Sequence, residues 1–206
     1  MKTSEKTFFT LAVVFLIAVI IIAPLRFFVF NESYYYSQFD KNNVNVDEQE
    51  EILDNLLLFF KGEESLAYFT EEEQSHLEDV KALLNKFFFS LYISVLLFFI
   101  SIIILFFINK KQFKDYIPKI VFLSGLVSFT IIVLFFLASL NFSMTFKGFH
   151  KLFFSQGNYL FPESSLLITL FPAAFFKSFF LRLMLSSFLL SIIAMALQLI
   201  LNKMKK

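Results

Sequence analysis

The chain has 206 residues, 58% of them hydrophobic, and only 17% are charged; its mean hydropathy is +0.72. That balance places it in the membrane class and excludes an ordinary soluble domain. A net charge of +1 gives no electrostatic case for nucleic acid, and the absence of Cys excludes disulfides, thiolate metal sites, a cysteine nucleophile and a lipidated Cys of its own.

Residues 8–25 form an apolar run after Lys2 and Lys6. No small-residue cleavage site follows, and three more apolar runs do, so the segment reads as a retained first span of about residues 8–30. Arg26, near its outer end, reads as a side chain reaching the headgroups rather than a catalytic group. The 34 Phe and the absence of Trp leave any aromatic belt to Phe and Tyr.

Residues 31–86 form the first large polar segment, with fourteen acids against four lysines. Asn31–Asp40, with Tyr34, Tyr35 and Tyr36, reads as extended and strand-like. Asp47 is placed to cap a helix with Glu50 as its capping-box partner. Ile52, Leu53, Leu56, Leu57 and Phe60 then recur at helical spacing until Gly62. This amphipathic helix lies either on the membrane or against the other outer segments. Thr70 opens another helix with Glu73 three residues on, a second capping box. His76 follows about two turns in, with Glu72, Glu73 and Asp79 at spacings that share its face. Asp79 is the best placed to orient the ring, against the plainer reading of a surface histidine among solvated charges.

The second span is 87–108, a short basic loop follows, and the third span is 117–140, where Gly125 allows close helix packing. Residues 142–176 do not read as one span. The stretch Gly148–Pro162 carries His150 and reads as an irregular, Phe-rich segment with a Gly157-Asn158 turn. Ser164 or Ser165 is placed to cap a short helix that Pro172 breaks. The fourth span is about 178–201.

Four spans put both termini on one side. The lysines at 2 and 6, at 110, 111 and 114, and at 203, 205 and 206 share that side, which the positive-inside rule makes cytoplasmic. The fold class expected is therefore an α-helical integral membrane protein, with four transmembrane helices and an extracytoplasmic cap formed by segments 31–86 and 142–176. His76 and His150, the only two histidines, fall together in that cap. A straight helix would raise His76 above the level of the lipid esters. Either that helix bends near Asn85 or the outer segment rises to meet it.

Two imidazoles suit acid–base chemistry near neutral pH. A zinc site is the rival use, although the spacing matches no local zinc motif. No Gly-x-Ser-x-Gly elbow and no His-Glu-x-x-His motif occurs.

Phe69-Thr-Glu-Glu-Glu-Gln-Ser-His76-Leu-Glu-Asp79-Val-Lys81 resembles the outer-helix motif of the four-span bacterial lipoprotein intramolecular transacylase family. Gly148-Phe149-His150 with Leu152-Phe-Phe154, Gly157, Leu167-Ile168 and Leu170-Phe-Pro172 resembles its second motif. The resemblance implies a cell-membrane enzyme that moves the sn-2 acyl chain of a diacylated lipoprotein onto the α-amino group of its N-terminal Cys. It implies no cofactor, because donor ester and acceptor amine both belong to the substrate, and it implies His76 and His150 as the catalytic pair working among membrane lipids. Where that pattern has an Arg after Leu-Ile and a Glu after Phe-Pro, this chain has Thr169 and Ala173. The readings standing beside it are a non-catalytic accessory or immunity protein that binds a partner through the acidic segment, and a histidine-based lipid hydrolase or metal protein.

Overall fold

A computed structural model describes residues 2–154, 157 and 159–203. The described residues form eight helices and no strand: α1 (Thr3–Val29), α2 (Glu32–Lys41), α3 (Gln49–Lys61), α4 (Glu71–Ile108), α5 (Lys110–Ala138), α6 (Phe142–Phe153), α7 (Leu166–Leu170) and α8 (Ala173–Lys203). Four of these, α1, α4, α5 and α8, are long and apolar enough to cross a membrane. A bilayer supplies no hydrogen-bond partners, and a helix satisfies its own backbone. The chain is thus a multi-pass α-helical membrane protein. It divides into two compact units, one of Met1–Arg26, Phe87–Ala138 and Arg182–Lys206, the other of Phe27–Lys86 and Ser139–Leu181.

The first unit is the apolar bundle. Its core gathers Ala12, Leu105, Tyr116 and Ile120, with Phe9, Leu16 and Phe113 packed around them. Two of the serines inside it bond back along their own helices. Ser101 donates to the Leu97 carbonyl and Ser191 to the Ser187 carbonyl, each one turn back. At one end the buried Glu5 accepts from Asn109 Nδ2 and from the Tyr116 hydroxyl, joining α1 to the α4–α5 turn. Arg26 donates from Nε to the Tyr92 hydroxyl at 3.2 Å and lies over the Phe88 ring. Gly125 sits where α5 meets α8: a Cβ there would come within 2.8 Å of the Ser191 carbonyl oxygen and 3.0 Å of Ala194 Cβ. This is the close approach for which the sequence reserves a glycine.

The second unit holds α2, α3, α6, α7 and the adjoining helix ends. Asn31–Asp40, expected as extended and strand-like, instead belongs to helix α2 (Glu32–Lys41), with Asn31 accepting from the Tyr34 N–H as N-cap. The tyrosines fit a helix because one face meets aromatic partners far along the chain. Tyr35 packs on Phe171 and Phe175, Tyr34 on Phe175 and Phe179, and Phe39 on Phe171. Tertiary burial outweighs the modest β preference of tyrosine. The Asp47 capping box is also corrected. Helix α3 begins at Gln49, and Glu48 occupies the N-cap in the left-handed conformation without a side-chain cap bond. The apolar face of α3 is where the periodicity places it, with Ile52, Leu53, Leu56 and Leu57 buried and Gly62 closing the helix at φ +87°. It packs within this unit, and Lys81 of α4 sits 4.0 Å over the Phe59 ring.

Replacing Gly125 by Val is expected to lower the thermal unfolding midpoint in detergent and cost about 1–3 kcal/mol, because the obstructing atom is backbone and cannot turn aside. The same change at exposed Gly148, where a Cβ meets nothing within 4 Å, is the control.

Candidate active site

Both histidines lie in the second unit, on two helices whose ends the sequence builds differently. Helix α4 starts with a complete capping box. Thr70 Oγ1 accepts from the Glu73 N–H at 3.3 Å, and Glu73 Oε2 accepts from the Thr70 N–H at 2.9 Å. Those bonds satisfy amide groups that a helix start otherwise leaves open. His76 follows on the next turn. The helix then continues without interruption through Asn85.

His150 lies in the last turn of α6, where an irregular segment was expected. Residues 148–153 are helical because Asn141 caps the start, accepting from the Met144 N–H, and because α6 separates two faces. Phe142, Phe146 and His150 lie on the more covered side, while Met144 and Leu152 are each 74% exposed. Of the expected Gly157-Asn158 turn, Gly157 is at φ +78° and Asn158 lies outside the described residues. Ser165 caps α7, accepting from the Ile168 N–H, and α7 ends before Pro172.

The two imidazoles face each other nearly parallel, with ring centroids 6.3 Å apart and planes 19° apart. Aromatic rings enclose them. Phe154 lies 4.9 Å and Phe161 5.6 Å from His76, while Phe146 lies 4.2 Å and Tyr159 5.0 Å from His150. His76 is only 7% exposed. Among the described residues its buried Nδ1 has no hydrogen-bond partner. Such an atom costs roughly 1–3 kcal/mol of desolvation unless something binds it. Asp79 acts on His76 through its charge, which favours the imidazolium, but burial is the larger effect and His150 opposes it too, so the His76 pKa is pushed down to about 4. Burial also lowers His150, partly offset by its bond to the Phe146 carbonyl.

That bond fixes a tautomer. His150 Nδ1 lies 2.8 Å from the Phe146 carbonyl oxygen. A carbonyl only accepts, so Nδ1 carries the proton and Nε2 of the neutral ring is left with a lone pair. One ring nitrogen is thus set as a base, beside a second ring with an open nitrogen. Among the described residues, no group of three or more His, Asp or Glu is arranged to hold a metal ion.

The Phe-rich stretch around His150 was readable as a wall, but which rings would enclose the pair was not. Phe161 and Tyr159 carry no mark that separates them from the other aromatics; only Phe146 and Phe154, four residues either side of His150, follow a helical rule. Thr169 is exposed, with its hydroxyl bonded to the Ser165 carbonyl, and Ala173 is exposed at the start of α8.

A membrane-integral helical protein with two facing imidazoles in an aromatic enclosure has side chains suited to proton transfer. The model of the family "Lipoprotein intramolecular transacylase Lit" matches residues 7–176. The chain belongs to that family, and it is an acyltransferase. Solved structures agree in fold. The membrane integral lipoprotein intramolecular transacylase Lit of Bacillus cereus superposes with a TM-score of 0.80 at 20% identity, covering 100% of this chain and 99% of that one. The same protein with one histidine replaced by arginine gives 0.77 at 21% identity, covering 98% and 93%. With that histidine replaced by alanine it gives 0.78 at 21%, covering 98% and 94%. No curated protein sequence matches the chain.

The lowered imidazole pKa values carry a stability consequence. Between pH 6.5 and about 4 the unfolded chain binds a proton at residue 76 that the folded chain refuses, so folded stability is retained above pH 6.5 and is lost as pH falls through that window. Thermal unfolding in detergent from pH 7 to 4.5 is expected to show a shallower fall for His76→Gln than for the unaltered protein.

Proposed function

We propose that this acyltransferase moves the sn-2 acyl chain of a diacylglyceryl lipoprotein to the α-amino group of its N-terminal Cys, leaving a lyso-form lipoprotein, with His76 and His150 as the acid–base pair. The observation that carries this reading is the facing of the two imidazoles within one aromatic enclosure. Family membership supplies the substrate class, a lipoprotein, and the intramolecular character of the transfer.

The tautomer favours His150 as the base. Its Nε2 accepts the proton released as the amine nitrogen attacks the ester carbonyl. The resulting imidazolium keeps its Nδ1–H on the Phe146 carbonyl, in the last turn of a helix, where a positive charge is favoured. As the N–C bond forms and the C–O bond breaks, the departing glycerol oxygen needs one proton. His76 delivers it from one ring nitrogen, and the proton that His150 accepted passes to the other. Both rings end neutral, and ester plus amine becomes amide plus alcohol. Each proton transfer of this kind contributes roughly 10² to 10⁴ in rate. Asp79 favours the transient charge on His76 without bonding the buried nitrogen.

The exposed apolar side chains of α6, including Met144, Leu152 and Phe153, support a place for His150 at the membrane interface, near the level of lipid esters. With the basic segments cytoplasmic, segments 31–86 and 142–176 form an extracytoplasmic cap and the site serves the outer leaflet.

Expression in bacterial cells that make diacylated lipoproteins, followed by mass spectrometry of lipoprotein N-termini, tests the proposal. Lyso-form product is expected with the unaltered chain and a loss of at least 100-fold, on the order expected for a lost acid or base, with His76→Ala or His150→Ala. No lyso-form product from a folded, membrane-inserted chain would sink the assigned reaction; undiminished product from the double variant would sink the histidine mechanism. Single cysteines are informative for orientation because the chain has none of its own. A cysteine at Lys111 should be shielded from an impermeant thiol reagent in intact cells, and one at Glu63 should react.

A further inference from the structure

Glu73 has more contacts than its helix requires. A capping-box glutamate needs one oxygen for the N-cap amide, and the other ordinarily faces water. Here the residue is 1% exposed, and its second oxygen is also committed. While Oε2 accepts from the Thr70 N–H, Oε1 accepts from the Leu167 N–H at 2.8 Å, from a residue 94 positions away. Leu167 is the second residue of α7, where a backbone N–H has no acceptor within its own helix. Ser165 Oγ serves the next amide, that of Ile168. One carboxylate therefore closes the open starts of two helices and ties them together.

We infer that Glu73 is a positioning residue of the proposed reaction: it straps α7 to the start of the His76 helix and so holds the aromatic wall of Tyr159 and Phe161 against the two imidazoles. The inference rests on the histidine pair proposed above. The path is short. From Leu167 the chain runs back through Ser165, whose N–H donates to the Pro162 carbonyl at 3.0 Å. That turn leads directly to Phe161, seated on His76, and to Tyr159, seated on His150. Helix α7 has only five residues and cannot hold this wall by its own stability. An unstrapped wall admits water to the rings and returns both imidazoles towards the behaviour of free histidine.

Because the chain has only two histidines, histidine-selective isotope labelling gives two ring signals, and His150→Gln assigns them. Glu73→Gln keeps the shape of the side chain but has one accepting oxygen where two are used. In the folded Glu73→Gln protein, the His76 titration midpoint is expected to rise towards 6.5, and the acid limb of the pH–rate profile to rise with it. Thr70→Ala removes the hydroxyl half of the capping box and leaves both bonds to the Glu73 carboxylate. It is expected to lower the thermal midpoint without moving the titration. An unmoved His76 titration in folded Glu73→Gln, or an equal shift in Thr70→Ala, overturns the inference. Should Glu73→Gln not fold, amide exchange in the unaltered protein decides: a protected Leu167 N–H is expected, and exchange at the rate of a free peptide overturns the strap. Titration and exchange are read without substrate, so they remain decisive even if the unaltered protein makes no lyso-form product.

Discussion

An imidazole buried among aromatic rings, with a second imidazole as its polar neighbour, is held neutral. Charging either ring would place a cation in a poorly solvated enclosure beside a group that titrates in the same range. The site is arranged around that constraint. His76 has no bonded carboxylate on its buried nitrogen, and Asp79 contributes only a field that is outweighed by burial. His150 is given one compensating contact, the Phe146 carbonyl, which settles its tautomer without adding a charge. The asymmetry between the rings comes from their places on the helices. His150 lies in the last turn of α6, where carbonyl groups favour a cation, whereas His76 lies near the start of α4, where amide groups do not.

The requirement that backbone groups be satisfied in lipid accounts for where irregular chain is found. Apart from the chain ends and the single residue Asn109, the described non-helical residues all lie in the second unit, in stretches such as 42–48, 62–70 and 159–165. There they can bond to side chains and to one another. Asn55 illustrates this, donating to Glu64 and the Ser65 carbonyl while accepting from the Ala67 N–H, so that one buried amide organises the link between α3 and α4. In the bundle unit, Ser101 and Ser191 bond one turn back along their own helices, and α5 meets α8 closely at Gly125.

What was legible in the sequence follows from the range of the interaction concerned. The Thr70–Glu73 box, the Ser165 cap and the Gly62 stop are local, and local residues are enough to read them. The four apolar runs are legible because a bilayer sets their length. The Tyr34–Tyr36 helix was not, because its stabilising partners are Phe171, Phe175 and Phe179, more than 130 residues away. Asp47 failed as a cap because Glu48 takes a left-handed conformation that no neighbour signals. Which rings form the aromatic wall was hidden by composition: with 34 Phe in the chain, no single one stands out. Glu73 was visible as a cap, but its bond to Leu167 is a property of the tertiary fold.

In the proposed reaction the uncharged character of the site bears on the acceptor as well as on the histidine pair. A free α-amino group has a pKa of about 7.7–8.0 and is mostly an ammonium ion at neutral pH. An ammonium ion has no lone pair with which to attack an ester. A pocket with a bonded carboxylate would hold the amine in that inactive form, whereas an aromatic pocket with two neutral imidazoles disfavours the charge and favours the free amine. In the proposed reaction the burial that lowers both imidazole pKa values therefore also prepares the nucleophile. The base then needs to accept only the proton released as the N–C bond forms. Thr169 and Ala173 are both exposed, and the Thr169 hydroxyl is bonded to the Ser165 carbonyl. In the proposed reaction the same burial that disfavours charge leaves the substrate's own amine as the nucleophile nearest the ester, which is the condition an intramolecular transfer needs in order to outrun hydrolysis.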